Sequence, residues 1–167
     1  MLVDIYNRIT ILREWKNMAQ ENQLKIFVQE SIKLKGIERG SNHTLTFDNI
    51  SEVDNRIVSA LSSSEQSLFK LSNASSAGTF ITSSMKYARI TNKDSSYPMR
   101  LRISSSLNNH AQMDFSIAAG ASFLLSTSKI SGSMTGNSNY QSFTDITDVL
   151  VQGSGSNVDV EYFIAST

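Results

Sequence analysis

The chain has 167 residues, 15 basic and 15 acidic side chains, two His, one Pro and no Cys. That length suits one ordinary domain, or a domain with an appendage, and is enough to bury a core unaided. The lack of Cys excludes disulfide frameworks, Cys-ligated zinc, thiol nucleophiles and iron–sulfur clusters, and zero formal charge argues against coating nucleic acid.

Two compositional zones follow. Residues 1–60 hold 16 of the 30 charged side chains, whereas Ser crowds the remainder, as at Ser62-Ser63-Ser64, Ser83-Ser84 and Ser104-Ser105-Ser106. Ser, Thr and Asn make up about a third of the chain. They compete with helices for backbone hydrogen bonds and suit turns and wet strand faces. The break predicts an N-terminal docking or oligomerisation layer, residues 1–61, and a Ser-rich β-domain, residues 62–167. One continuous domain is the alternative.

The first element predicted is a helix. Leu2, Ile5, Ile9, Leu12 and Trp15 recur at three and four residues, with Ala19 following, which draws one apolar stripe of period 3.6. The heptad version of this stripe would set Lys16 in a core position, so a coiled coil is only weakly signalled. The period then drops to two. Leu24, Ile26, Val28, Ile32 and Leu34 occupy even positions, while Lys25, Gln29, Ser31, Lys33 and Lys35 occupy odd ones. This predicts a strand with one apolar face and a bend near Glu30-Ser31. A helix over 22–35 is the competing reading, because Glu, Lys and Leu favour helices. Gly36 and Gly40-Ser41-Asn42 supply turns, and His43–Phe47 alternates again.

Later strands are predicted at Met85–Ile90, Met99–Ile103, Met113–Ile117, Ser122–Leu125, Asp145–Val151 and Val158–Ile164. Residues 92–98 read as a loop closed by Pro98. Ile130–Phe143 reads as a long polar connection, and Gly153-Ser154-Gly155-Ser156-Asn157 as a hairpin loop. Short alternating strands with regular turns, and no crossover helices after residue 83, predict a mainly β fold. The expected architecture is an antiparallel β-sandwich, jelly-roll-like, with an N-terminal helical segment. Arg100 and Arg102 share an outward face, as do Asp159 and Glu161. Cross-strand ion pairs between the two sets are expected if their strands are neighbours.

The search for chemistry yields little. His43 and His110 are expected in Asn/Ser/Thr-rich turns, and among 29 Ser residues chance Ser–His proximity carries no weight. No nucleophile elbow, zinc helix or phosphate loop is present, and Gly153–Asn157 opens no helix as a dinucleotide site would. Asp145, Asp148, Asn92 and Asp94 fall short of a calcium ligand set. Asn42-His43-Thr44, Asn49-Ile50-Ser51 and Asn73-Ala74-Ser75 match the glycosylation pattern at the rate chance allows in this composition. No catalytic, cofactor-binding or metal-ligating residue is therefore expected, no cofactor, and no direct nucleic-acid partner. No apolar run reaches the ~20 residues that span a bilayer, and Met1-Leu2-Val3-Asp4 lacks the features of a secretory signal, so no membrane partner is expected either.

Three stretches carry a resemblance. They are Tyr87-Ala88-Arg89-Ile90-Thr91-Asn92-Lys93-Asp94, Phe115–Leu125 with its Ala119-Gly120 break, and the ending Asp145–Val151 with Val158–Ile164. From about Ser84 to Ser166 the chain resembles small β-sandwich structural proteins of tailed-bacteriophage virions, of the capsid-decoration, head-fibre or portal/tail-ring kind. The resemblance covers half of the chain. It implies a virion component made in the host cytoplasm, present in many copies, with no catalytic residues and with other virion proteins and copies of itself as partners. Leu2, Ile5, Ile9, Leu12 and Trp15 are then the expected interface, Trp15 foremost, since Trp is enriched at interface hot spots. A carbohydrate- or surface-binding module is the alternative, with Tyr97, Tyr140 and Phe143 as the candidate aromatics.

Overall fold

Apolar–polar alternation over four to nine residues makes one face of the backbone worth burying, and most of the described chain is strand. The computed structural model describes residues 22–74, 76–105, 112–126, 130–133, 140–143 and 146–167. The expected helix carrying Leu2 to Trp15 lies outside these residues. In the order of the chain the strands are β1 (Leu24–Gln29), β2 (Ile32–Leu34), β3 (Ile37–Arg39), β4 (Asn42–Phe47) and β5 (Glu52–Ala60). There follow β6 (Gln66–Ser72), β7 (Thr79–Ile81), β8 (Met85–Asn92), β9 (Met99–Ser105) and β10 (Gln112–Ile117). The last are β11 (Ser122–Leu125), β12 (Ile130–Ser133), β13 (Tyr140–Phe143), β14 (Ile146–Gly153) and β15 (Val158–Ser166). A single 3-10 turn, Thr82–Ser84, interrupts them among the described residues.

The chain divides into two compact units, Met1–Ser51 and Glu52–Thr167. A boundary after residue 61 would fall just behind β5. That strand pairs along its whole length with β15, which ties residues 52–60 to the second unit.

In the first unit, β1 pairs antiparallel with β4, and β2 with β3. The register passes from Gln29↔Asn42 to Ile32↔Arg39 with two residues on each side between, so the two ladders form one hairpin with no inserted residue. Lys35 and Gly36 turn it, both at positive φ, 49° and 80°. Two left-handed residues in a two-residue loop match the right-handed twist of the strands on either side. The predicted bend lies at Glu30-Ser31, where β1 stops and Glu30 N–H donates to Ser41 O at 2.9 Å. A Cβ on Gly40 would stand 2.0 Å from Glu30 O, so only glycine allows this approach. The helical reading of 22–35 is thereby overturned: the alternating apolar positions, with β-branched Ile26, Val28 and Ile32 among them, outweigh the helix-favouring Lys and Glu.

The second unit holds two main sheets, ordered β10-β9-β14-β6-β7 and β11-β8-β15-β5. Every pairing in them is antiparallel except the three-residue edge pair β6–β7. With β7, β12 and β13 set aside, the strands can be counted one to eight from β5 to β15. The first, eighth, third and sixth then lie side by side in one sheet, and the second, seventh, fourth and fifth in the other. One hydrophobic cluster draws on both sheets, including Leu101, Ile103, Val149 and Val151 from the first and Ile90, Val158, Val160 and Ile164 from the second. The Phe69 ring lies 5.8 Å from that of Tyr162, and Phe115 lies 4.9 Å from Phe123, each pair joining the two sheets.

Two connections differ from expectation. Within Ile130–Phe143, β12 and β13 pair antiparallel from Ile130↔Phe143 to Ser133↔Tyr140. Four-residue strands of mostly small and polar residues give no readable alternation. Gly153–Asn157 is a corner between the sheets and not a hairpin, because β14 pairs with β9 and β6 whereas β15 pairs with β5 and β8. Gly153 N–H donates to Leu61 O, and Gly155 sits at φ +91° with the Tyr97 ring against it.

Candidate functional site

Among the described residues, the hairpin of the first unit holds five of the nine exposed large apolar side chains. Cross-strand partners share a face, so Leu24/Phe47, Ile26/Leu45 and Val28/His43 lie together on one side, and Lys25/Thr46 and Phe27/Thr44 on the other. Towards the turn, Leu34 faces Ile37. Val28, Ile32, Leu34 and Ile37 are exposed, at 38%, 57%, 52% and 59%, and Phe27 on the opposite side is 73% exposed. Leu24, Ile26, Leu45 and Phe47 are half-buried. The even-position face read from the sequence is therefore real, and its outer half is open to solvent. Near the bend, a shallow depression of about 290 Å³ lies beside Glu30, Arg39 and Gly40. Ser41 Oγ donates to Glu30 Oε2 there at 2.9 Å.

The second unit carries a polar network on the outer face of its five-stranded sheet. Arg100 and Arg102 do point outwards from β9, as their alternation requires. The expected partners Asp159 and Glu161 are in the other sheet, so that pairing does not form. Alternation fixes the face of a residue but not which strand lies next to it. Arg102 instead grips Asp114 of β10 with two hydrogen bonds, 2.6 and 2.7 Å, and reaches Glu65 at 2.7 Å. Arg100 bonds Glu65 and Gln152, and Gln152 Nε2 donates to Ser62 O at 2.8 Å. The Arg102 guanidinium holds the Asp114 carboxyl below its ordinary range. Glu161 bonds Arg89 within its own sheet and lies 3.7 Å from Lys93. A depression of about 360 Å³ lies next to this network, between Arg100, Asp114, Phe115 and Ser154.

The loop after β8 is locked by two side chains. Asn92, fully buried, donates from Nδ2 to Tyr97 O at 2.9 Å and Ile117 O at 3.2 Å. Its Oδ1 accepts from Asp94 N–H at 3.0 Å. The Asp94 carboxylate accepts from the N–H groups of Ser96 and Tyr97 at 2.7 and 2.8 Å, and these bonds, Tyr97 first, hold its carboxyl below the ordinary range. Asn and Asp thus serve as turn builders here, closing the backbone on itself in Asx fashion. Asn92 Oδ1 and Asp94 Oδ1 are thereby engaged by backbone N–H groups. Tyr97, at the tip, is 46% exposed.

Of the other residues singled out by sequence, His43 lies in β4 opposite Val28, in a strand and not in a turn. His110 and Asp145, like the predicted interface Leu2, Ile5, Ile9, Leu12 and Trp15, lie outside the described residues. Asp148 is 3.9 Å from Lys70. Tyr140 and Phe143 end β13. Among the described residues no three His, Asp or Glu side chains gather where they could hold a metal ion, and no helix is long and apolar enough to cross a membrane. One constellation went unread in the sequence: Tyr162 Oη donates to Asp54 Oδ2 at 2.8 Å, and Asp54 Oδ1 accepts from Arg56 Nε at 2.9 Å. Burial, with the bond to Asp54, pushes the Tyr162 phenol up to about 12.

No protein-family model, curated protein or solved structure matches the chain.

Proposed function

We propose that the chain is a non-enzymatic structural component of a bacteriophage virion, assembling in multiple copies at the capsid or the portal and tail region. In this reading the second unit is a jelly-roll β-sandwich and the first is its docking element. The observation that carries it is the hairpin. A two-stranded ribbon is marginal by itself in water. This one holds Val28, Ile32, Leu34 and Ile37 exposed beside a half-buried apolar face. Exposed apolar patches of that kind mark contact surfaces. Leu2, Ile5, Ile9, Leu12 and Trp15 extend the same docking role by their sequence pattern. The eight-strand order of the second unit supports the jelly roll, an architecture used by viral capsid and lectin domains. The virion assignment itself rests on the resemblance of residues 84–166, since one fold serves many functions.

The test is incorporation. Ile32→Lys with Leu34→Lys alters two side chains that are more than half exposed, so the fold should persist by circular dichroism. Particles assembled with that variant, or with residues 1–20 deleted, should lack the protein. Normal incorporation of both would refute the docking role. Tyr97, exposed at a rigid loop tip beside Gly155, favours carbohydrate binding as the second reading. A glycan array that stays blank at high protein concentration would end it.

A further inference from the structure

β5 is an edge strand with an unusual inscription. It pairs only with β15 among the described strands, and six of its nine residues are exposed. By register Ala60, Val58, Arg56 and Asp54 share the sheet face that carries the core, with Arg56 beyond the core and exposed. The first two meet the hydrophobic cluster, and Asp54 is held by Tyr162. The outward positions Val53, Asn55 and Ile57 include two apolar side chains, 52% and 64% exposed. Charges on the inward face of an edge strand normally discourage pairing with a foreign strand. Here their order makes them complementary to themselves.

We propose that the β5 edge pairs antiparallel with β5 of a second copy, across a two-fold axis at Asn55. This joins the two four-stranded sheets into one. Such a two-fold axis, perpendicular to the sheet, keeps both cores on the same side and pairs only positions of like face. Centred on Asn55, Asp54 meets Arg56 of the second copy, and Arg56 meets its Asp54. Val53 meets Ile57 of the second copy on the outer face, and Asn55 meets Asn55. Moving the axis to Asp54 would oppose two Asp54 carboxylates, and moving it to Arg56 would oppose two guanidinium groups. Like charges directly opposite are destabilising, and of these three registers only the one centred on Asn55 opposes no like charges and sets Asp54 against Arg56. The occupant is a second copy because no unrelated strand need carry this mirrored order. The inference does not depend on the virion reading, since it uses no residue of the first unit.

The chain has no Cys, which allows a clean test. Residues facing each other across an antiparallel pair have Cα atoms roughly 4.5–5.5 Å apart, within the range a disulfide bridges. Asn55→Cys in the full chain should oxidise to a covalent dimer at micromolar concentration. Ser59→Cys, on the same face of the same strand but off the axis, should cross-link at least fivefold less. Adding Ile57→Lys to Asn55→Cys should cut the dimer yield about tenfold while circular dichroism stays unchanged. Adding Ile32→Lys and Leu34→Lys should leave it intact, which separates this contact from hairpin docking. Equal cross-linking at positions 55 and 59, or none at position 55 in the folded protein, would overturn the proposal.

Discussion

The hairpin of β1 to β4 and the strands β8, β9, β14 and β15 are written in the same alternating script, yet their apolar residues meet different fates. Ile103, Val149, Val160 and Ile164 are wholly buried, while Ile32, Leu34 and Ile37 are more than half exposed. The difference lies in what stands opposite. In the second unit each sheet presents its apolar face to another sheet, and a buried aliphatic side chain there is worth about 1.5–3 kcal/mol. Alternation gives a strand a face to bury, and only a second layer buries it.

That contrast can be broken hardest at the centre of the second unit. Phe69 is 1% exposed and meets the rings of Phe80 and Tyr162. Phe69→Ala should cost about 3–5 kcal/mol, read as a lowered denaturation midpoint at unchanged m-value. Asn92→Ala comes next. It strands the carbonyls of Tyr97 and Ile117 and unlocks the 92–98 loop, so about 1–3 kcal/mol should be lost in the same measurement.

Tyr162→Phe removes one buried hydrogen bond and should cost about 1 kcal/mol near neutrality. Its sharper signature is in alkali. The phenol is raised from 10.0 to about 12 in the folded chain, so its stabilisation is fully present below pH 10. It is then lost as pH rises towards 12. The native chain should lose about 2–3 kcal/mol across that window, because the ionised phenol is buried beside the Asp54 carboxylate. The Phe variant should lack this component, and denaturation midpoints at pH 9 and 11.5 would show it. Smallest of all, Ile32→Ala in the hairpin should move the stability of the isolated chain by no more than about 0.5 kcal/mol, because the side chain is already in water. A larger loss would mean the hairpin face is covered in solution.

The strands that were legible in the sequence are those whose inward positions are uniformly apolar, such as Met99-Leu101-Ile103 and Val158-Val160-Tyr162-Ile164. β5 escaped because Asp54 and Arg56 occupy inward positions where a strand normally carries apolar side chains. β6 escaped because its register shifts against Val149/Leu150, so that Leu68 and Phe69, consecutive in the chain, are both buried. A bulge of that kind erases the period on which the reading depends. Asn92 was placed in a loop, but nothing in its neighbours announces that three of its hydrogen bonds close that loop against β10. Glu65 sits in a Ser-rich stretch, and its role between two arginines exists only once β9 and the residues before β6 are brought together.

Local chemistry was enough to determine that the described chain is mainly strand, where it turns at Gly36 and residues 92–98, and which side of each regular strand is apolar. Those properties follow from steric preference and side-chain period, which act within a few residues. Which strands became neighbours, which arginine met which carboxylate, and which apolar faces found cover were decided by the tertiary structure alone. These depend on residues tens of positions apart, joined by a wiring between two sheets that no local pattern encodes.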